Sequence, residues 1–287
     1  MNWQTPGRTR SYNAASRFVT AALAISLVFA TAGAAGAQTD YYNTDAGRPL
    51  TIEDASATER YAFELQLAPL RLERSRGVYR WEVEPEIAYG IFPRTQLEIG
   101  LPLSYVDLGP GSSRSGLGGL GIALLHNLNA ETSIPALAIA GDIVLPIGSL
   151  APDAAVFSAK GILTRTFRWA RFHVNGQYTF GADDVEPLAG GDVEGAEVSR
   201  WLAGVAVDRT FPLRSMLIGA EVFAGRGRSG EAETEWNAAI GVRRQLSPTF
   251  NVDAGIGKQL NGDDRSWFAT FGLAHAFALK SLLPGRD

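Results

Sequence analysis

The stretch YRWEVEPEIAYGIFPRTQLEIGLPLSY, residues 79–105, decides how this chain folds. Tyr79, Trp81, Val83, Pro85, Ile87, Tyr89 and Ile91 are apolar, and Arg80, Glu82, Glu84, Glu86, Ala88 and Gly90 alternate with them. Successive side chains of a strand point to opposite faces, so this run has one apolar face and one charged face. Wound as a helix, the same residues would spread charge round every side. After Phe92-Pro93-Arg94 the alternation resumes, with Leu97, Ile99, Leu101, Leu103 and Tyr105 against Gln96, Glu98, Gly100, Pro102 and Ser104. Two strands joined by a tight turn are the expected unit.

The same period of two recurs to the end of the chain. Leu137, Ile139, Ile143, Leu145 and Ile147 oppose Ala136, Ala138, Ala140 and Asp142. Phe172, Val174, Gly176, Tyr178 and Phe180 oppose Arg171, His173, Asn175, Gln177 and Thr179. Further strands are expected around Trp201–Asp208, Glu235–Arg243, Asn251–Ile256 and Trp267–Phe277. Weaker ones are expected over about Tyr61–Glu73, Leu117–Leu128, Val156–Phe167 and Leu213–Gly225. The first of these has a phase break at Ala68-Pro69, which reads as a bulge because proline cannot donate to a ladder. The total is about twelve strands, each near the ~9–11 residues that a tilted membrane-spanning strand needs.

The N-terminus has the three-part pattern of a secretory signal peptide. Arg8, Arg10 and Arg17 precede an apolar run over Phe18–Ala32, and Ala35-Gly36-Ala37 supplies small residues before Gln38. The expected organisation is a cleaved signal peptide over 1–37 and an irregular segment over 38–59. A barrel over 60–278 and a tail over 279–287 follow. The irregular segment reads as a periplasmic lead-in or a plug.

Bulk composition narrows the function. The chain has 287 residues, 46% hydrophobic and 20% charged, which excludes collagen-like and disordered classes. It has no cysteine, so there is no disulfide, thiolate metal site or cysteine nucleophile. A formal net charge of −4 offers no basic footprint for nucleic acid. After the signal, no stretch reaches the ~20 apolar residues of a membrane helix. The mature chain is therefore either soluble and exported or a membrane barrel, since only helices and closed barrels satisfy every backbone group in lipid.

Several features favour the membrane barrel. The turns near Phe92-Pro93-Arg94, Arg168–Ala170, Thr210–Pro212 and Ser247-Pro248 are tight. The alternate loops, such as Asp107–Gly116, Gly148–Ala155 and Gly181–Glu197, are mostly long and rich in glycine and acid. Outer-membrane barrels alternate short periplasmic turns with long external loops. Phe92, Phe167, Trp169, Phe211, Phe250 and Phe277 fall at the short-turn ends, where an aromatic girdle belongs. A lipid-facing Arg or Lys at mid-depth would cost ~2–4 kcal/mol, which accounts for one face of each strong strand being nearly free of charge.

The opposite face would then line a lumen. The lumen-phase residues are Arg80, Glu82, Glu84, Glu86, Glu98, Asp142, Lys160, Arg171, His173, Asn175, Gln177, Arg200, Asp208, Glu221, Glu235, Arg243 and Asp253. They read either as a fixed field that selects solutes in a pore or as inter-strand salt bridges that fill a narrow barrel.

Other motifs carry less. GLGGLG at Gly116–Gly121 contains G-x-G-x-x-G, but a loop precedes it and an alternating strand follows, so flexible entry into a strand outweighs dinucleotide binding. His173 and Asn175 share a face as in a Ser/His/Asn-type hydrolase, yet no serine stands in a telling motif. His126 and His275 are isolated, which argues against a three-histidine metal site. The acidic loop Gly181–Glu197 has no regular ligand spacing and reads as solvated rather than cation-binding.

Four blocks then carry a family resemblance. WEVEPEIAYGIFPRTQLEIGLPLSYVD at Trp81–Asp107 resembles the outer-membrane barrel transporters of the MetA-pathway-of-phenol-degradation type. GLGGLGIALLHNL (Gly116–Leu128), PALAIAGDIVLPIG (Pro135–Gly148) and KGILTRTFRWARFHVNGQY (Lys160–Tyr178) match further blocks. The resemblance implies a twelve-strand-like barrel that passes small solutes, hydrophobic or aromatic ones included, and it supplies no catalytic residues. The chain departs from the pattern after Phe277, where Ala278–Asp287 follow the expected terminal aromatic.

The expected fold is all-β, a transmembrane antiparallel up-and-down β-barrel of about twelve strands in the outer membrane of a Gram-negative cell. The expected function is passive passage of small solutes, with no enzyme activity and no cofactor, metal or nucleic acid. The partners would be outer-membrane lipid and lipopolysaccharide, the outer-membrane assembly machinery and a small-molecule solute. The rival readings are a closed structural or adhesion barrel acting through its external loops and a barrel-embedded lipid hydrolase.

Overall fold

The computed structural model describes residues 42–75, 77–109, 112–180, 200–227, 233–262, 266–279 and 282. The expected signal peptide, the acidic loop over 181–197 and most of the 279–287 tail lie outside the described residues.

Among the described residues, fourteen strand segments form one antiparallel sheet. They are β1 (Ala62–Ser75), β2 (Val78–Phe92), β3 (Thr95–Gly100), β4 (Leu103–Asp107), β5 (Ser113–Leu117), β6 (Leu120–Asn129) and β7 (Ala136–Leu145). After them come β8 (Val156–Thr166), β9 (Arg171–Phe180), β10 (Trp201–Phe211), β11 (Met216–Arg226), β12 (Thr234–Ser247), β13 (Phe250–Gln259) and β14 (Trp267–Ala278).

Two pairs of segments are single staves interrupted part way. β2 pairs with β3 along one half and with β4 along the other. The break falls at Leu101-Pro102, where proline has no N–H to give. The next stave breaks beside it, at Gly118-Gly119, and the Gly118 amide donates to the Pro102 carbonyl at 2.8 Å. Gly119 holds φ at +133°, which L side chains rarely adopt. GLGGLG is thus the kink between β5 and β6, as a flexible strand entry should be. Counted as staves the sheet has twelve strands, and β1 closes it by pairing with both β14 and β2.

Ala68-Pro69 behaves as a bulge. The register of β1 shifts between Gln66 and Leu70 against β14, and between Leu67 and Leu70 against β2. At the end of the barrel that holds Ala62 and Ala278, neighbouring staves meet in short connections, including two residues between Phe92 and Thr95. There Arg94 takes φ +59°, in the left-handed region, and the register against β3 shifts between Gly90 and Phe92.

The two faces are inverted relative to a water-soluble protein. Trp81, Phe157, Val205, Ile240 and Ile256 stand exposed on the outside, Ile240 at 61%. His173, Asp208, Arg243, Asn251 and Asp253 are enclosed, none more than 2% exposed. Large apolar side chains normally go inside and charges outside, so this pattern needs an apolar solvent around the barrel. Among the girdle aromatics, Phe92, Phe167 and Trp169 are exposed, and Phe211 and Phe250 are half-buried. Phe277 departs from the expectation. It is buried because it stacks on Phe63 at 5.3 Å between ring centroids, across the seam that closes the barrel.

Candidate functional site

Residues 42–60 run round the inner wall as a collar. Read from Thr58 back to Arg48, the segment meets the staves in their chain order. The Thr58 amide and hydroxyl both donate to Gln96 Oε1 on β3, at 2.5 and 2.6 Å. Asn127 of β6 donates to the Ala55 carbonyl at 2.7 Å, and the Ala55 amide donates to Thr164 of β8 at 2.9 Å. Ala55 also packs with Ala138 of β7.

Asn175 of β9 grips Glu53 reciprocally. Its Oδ1 accepts from the Glu53 amide and its Nδ2 donates to the Glu53 carbonyl, both at 2.9 Å. A side-chain amide has the donor and acceptor to imitate a neighbouring strand. The Glu53 carboxylate in turn meets the Lys160 ammonium at 2.5 Å. On β11 the two oxygens of Glu221 accept from the Thr51 and Ile52 amides at 2.9 and 2.8 Å. An ionised acceptor makes such bonds stronger than a neutral one. Leu50 and Ile52 pack against Ala206, Phe223, Ala239 and Phe268.

The circuit ends in a charged knot. Arg48 is wholly enclosed and donates to Gln66 and Glu64 of β1, to Asp253 of β13 and to Asp45 of the collar, at 2.8 to 3.1 Å. Arg243 of β12 joins it, donating to the Arg48 carbonyl at 2.9 Å and pairing with Asp45 at 3.0 Å. Burial alone would raise the Asp45 carboxyl, but Arg243 and Arg48 beside it outweigh that and hold it below the usual range. The collar then doubles back. Asp54 accepts from the Thr44 amide at 3.0 Å, and Arg171 of β9 bonds the Tyr42 carbonyl.

Inward glycines make room for this path. A Cβ at Gly241 would lie 2.7 Å from the Pro49 ring, and one at Gly255 would lie 2.3 Å from the Pro49 carbonyl. β14 contributes Thr270, which donates to the same carbonyl at 3.4 Å. The collar meets β2 through the bridge between Arg60 and Gly90, and just past it the Tyr61 amide donates to the Gly90 carbonyl at 2.8 Å. Together with Gly204 of β10, under Ile52, these contacts reach all twelve staves. Asn43, Asp45, Ser56, Thr58 and Gln96 border a pocket of about 30 Å³, room for a water or two.

The residues expected to line the lumen divide into two groups. Lys160, Arg171, Asn175, Glu221, Arg243 and Asp253 hold the collar directly. His173 and Asp208 stand behind it: His173 bonds Thr164 at 3.0 Å and Asp208 at 2.8 Å, and Asp208 also takes the Arg171 guanidinium at 2.7 Å. His173 is thus a buried link in the wall, and its hydroxyl neighbour Thr164 is already engaged by the collar.

The second group is an acidic wall. Glu82, Glu98 and Asp142 all lie close enough to Glu84 to repel it, and Glu84 in turn bears on Glu86. Arg80, Gln177 and Arg200 are half-buried on the same inner phase, and Glu235 is exposed near the loop end of β12. Sequence reasoning did not single out Arg48, Asp45, Glu64, Gln66, Gln96, Asn127 or Thr164. The available signal was the run of Gly and Ala on the charged phase, which marks where another backbone comes close. Among the described residues, no group of three or more His, Asp or Glu side chains is arranged to hold a metal ion.

The comparisons with known proteins agree with this architecture. A family model, that of the MetA-pathway of phenol degradation, matches residues 75–277, from the end of β1 to the last aromatic of β14. An outer-membrane channel from Pseudomonas putida F1 is similar in structure, with a TM-score of 0.54 and 14% identity over 82% of this chain and 100% of that one. At that identity the likeness concerns the fold alone. The KdgM porin is similar at 10% identity, over 75% of this chain and 99% of that one, with a TM-score of 0.47. A monoaromatic hydrocarbon channel, CymD, is similar at 7% identity, over 77% and 89%, with a TM-score of 0.42. Neither superposition is close enough to carry an argument. No curated protein matches the chain.

Proposed function

Because the chain belongs to the MetA-pathway-of-phenol-degradation family of outer-membrane barrels, we propose that it is a passive channel for small solutes, hydrophobic and aromatic ones among them. The observation that carries this reading is the acidic wall. Glu82, Glu84, Glu98 and Asp142 gather on β2, β3 and β7 of one inner face. Like charges packed in a dry interior would repel strongly, and the cost of removing them from water is several kcal/mol per ion. Water beside that wall, or protons held on some of its carboxyls, relieves both terms. A hydrated passage with a fixed negative field is what a solute channel needs. Its outer face would meet outer-membrane lipid and lipopolysaccharide, and it would reach the membrane through the assembly machinery.

The test is uptake. Cells with and without the chain, given a panel of small aromatic compounds, differ in rate for at least one if the reading is right. Equal rates across the panel would contradict it. A closed structural barrel is the second reading, and the collar favours it, since a backbone threaded through the lumen narrows any passage. A lipid hydrolase has weaker support: the one histidine on the inner wall is enclosed, and its two polar neighbours are committed to other bonds.

A further inference from the structure

We propose that the outer wall at the short-turn end, along β8, β10 and β12, is a binding surface for the headgroups of anionic phospholipids. The inference goes beyond the channel reading. It needs a lipid-facing wall but not an open lumen.

The surface begins as a repeat in the sequence. Arg165-Thr166-Phe167 lies at the end of β8 and Arg209-Thr210-Phe211 at the end of β10, and Arg244-Gln245-Leu246 takes the same place on β12. In each, the arginine and the apolar residue two places on share the outward phase of Phe157, Val205 and Ile240. Arginine on that face costs about 2–4 kcal/mol at mid-depth and about 0–1 near an interface, so the last turn-side positions are where it can stand.

The three arginines also share one depth. Arg165 registers with Phe172 and Phe172 with Val207, so along the ladder Arg209 stands two residues nearer the turns than Arg165. Phe211 registers with Met216 and Met216 with Arg244, so Arg244 is two nearer again. Two residues along a strand are about 6.7 Å and two strands across are about 9.6 Å, a slope of about 35°. Strands of such a barrel tilt by about 35–45°, so the staircase cancels the tilt. The turns step the same way. The β8–β9 hairpin closes at Thr166 with Arg171, level with Asp208, whereas β10–β11 runs on to Phe211 with Met216.

This belt of charge is open. Arg168 and Arg214 add exposed side chains in the turns. Among the described residues, no outward position or turn at this end of β8 to β12 carries an acid. Glu131, in the turn before β7, lies 3.6 Å from Arg165, whereas Arg209 and Arg244 are exposed and meet no carboxylate among the described residues. The Arg165 and Arg209 guanidinium groups sit over the Phe167 and Phe211 rings, 5.9 and 5.5 Å from the centroids. Both heads therefore lean toward the turns, where a bilayer presents its phosphates. Guanidinium groups bond phosphate oxygens in pairs, and basic residues at a membrane surface attract lipids of net negative charge.

The test uses the full-length barrel refolded into phosphatidylcholine vesicles. Spin-labelled phosphatidylglycerol and spin-labelled phosphatidylcholine are compared for the fraction immobilised against the protein. The parent should favour phosphatidylglycerol by roughly threefold or more at low salt, and Arg209→Gln with Arg244→Gln should lose at least about half of that preference. Arg74→Gln with Lys258→Gln is the control, since these residues flank Trp267 on the outward face at the loop end. It should keep the larger part.

Equal immobilisation of the two lipids by the parent overturns the proposal and leaves the channel reading untouched. So does a preference that survives in the arginine variant and disappears in the control. If neither lipid is immobilised, the lipid-facing wall fails and the proposal with it. Should the arginine variant not fold, salt decides: the parent's preference should largely vanish in 1 M salt, where the screening length is about 3 Å, and an undiminished preference would overturn the proposal.

Discussion

Arg48 and Asp253 are 205 positions apart in the chain, yet Arg48 Nη1 donates to the Asp253 carboxylate at 3.1 Å with both side chains fully enclosed. One belongs to the irregular segment before the first strand, the other to β13. Their contact closes the collar's circuit beside the seam, two staves from β1.

Replacing Arg48 by methionine therefore removes the cation from a pocket that also holds Glu64 and Asp45. Breaking one side of a buried pair costs about 3–5 kcal/mol, and Arg243 remains to shield Asp45 and Asp253, so a loss of about 3 kcal/mol is expected. Urea unfolding of the barrel in detergent measures it. Adding Asp253→Asn should recover part of the loss, as coupled neighbours do. A single-variant effect below about 1 kcal/mol would contradict the account.

Glu221 acts on the collar's main chain. Glutamine in its place keeps one acceptor oxygen and turns an NH₂ donor toward amides that are themselves donors. The Thr51 and Ile52 amides then lose part of their protection. Losing such bonds costs about 1–3 kcal/mol, so hydrogen exchange in peptides spanning 50–53 should quicken by roughly tenfold to a hundredfold. Exchange at the parent rate would mean that the collar is held by something else.

The assignment of faces is tested from outside. Ile240 is 61% exposed near the middle of β12. Arginine there should cost about 2–4 kcal/mol in lipid, read as a lower folded yield into vesicles. Arginine at an outward residue of a soluble barrel would be nearly neutral, so an unchanged yield would contradict a lipid-facing surface.

Asp45 sets a pH limit on the collar. Its carboxyl is held low because Arg243 and Arg48 outweigh the effect of burial. A carboxyl depressed on folding contributes stability above its unfolded value, about 3.9, and loses it as pH falls through the lower folded value. An environment-sensitive dye on Ser56→Cys should thus report the same state from about pH 7 to about pH 5, with collar release beginning only below about pH 3.9. Release near pH 6 would exclude the Asp45–arginine knot as the anchor.

Much of this was readable from the chain, and the boundary has a physical cause. Alternation in Tyr79–Ile91 is a local property, since each side chain's face follows from its neighbours. It carried the strands, their number and the identity of the apolar face. The break at Ala68-Pro69 and the kink at GLGGLG were equally local, because proline and glycine impose their own geometry. The collar was not. Its residues have no periodicity, and Arg48 gains meaning only from carboxylates on β1 and β13 that the closed ring brings to it. Phe277 was misjudged for the same reason. Its phase is outward, but the seam places Phe63 over its ring. The acidic phase of β2 was visible, whereas its union with Asp142 of β7 needed the fold.

The central claim is that the intact barrel conducts. Single-channel recording of the purified full-length chain in a planar lipid bilayer tests it most directly. The account predicts discrete current steps, with cations favoured over anions by the carboxylates of the inner wall. A folded barrel that inserts and yet passes no more current than bare lipid would contradict it.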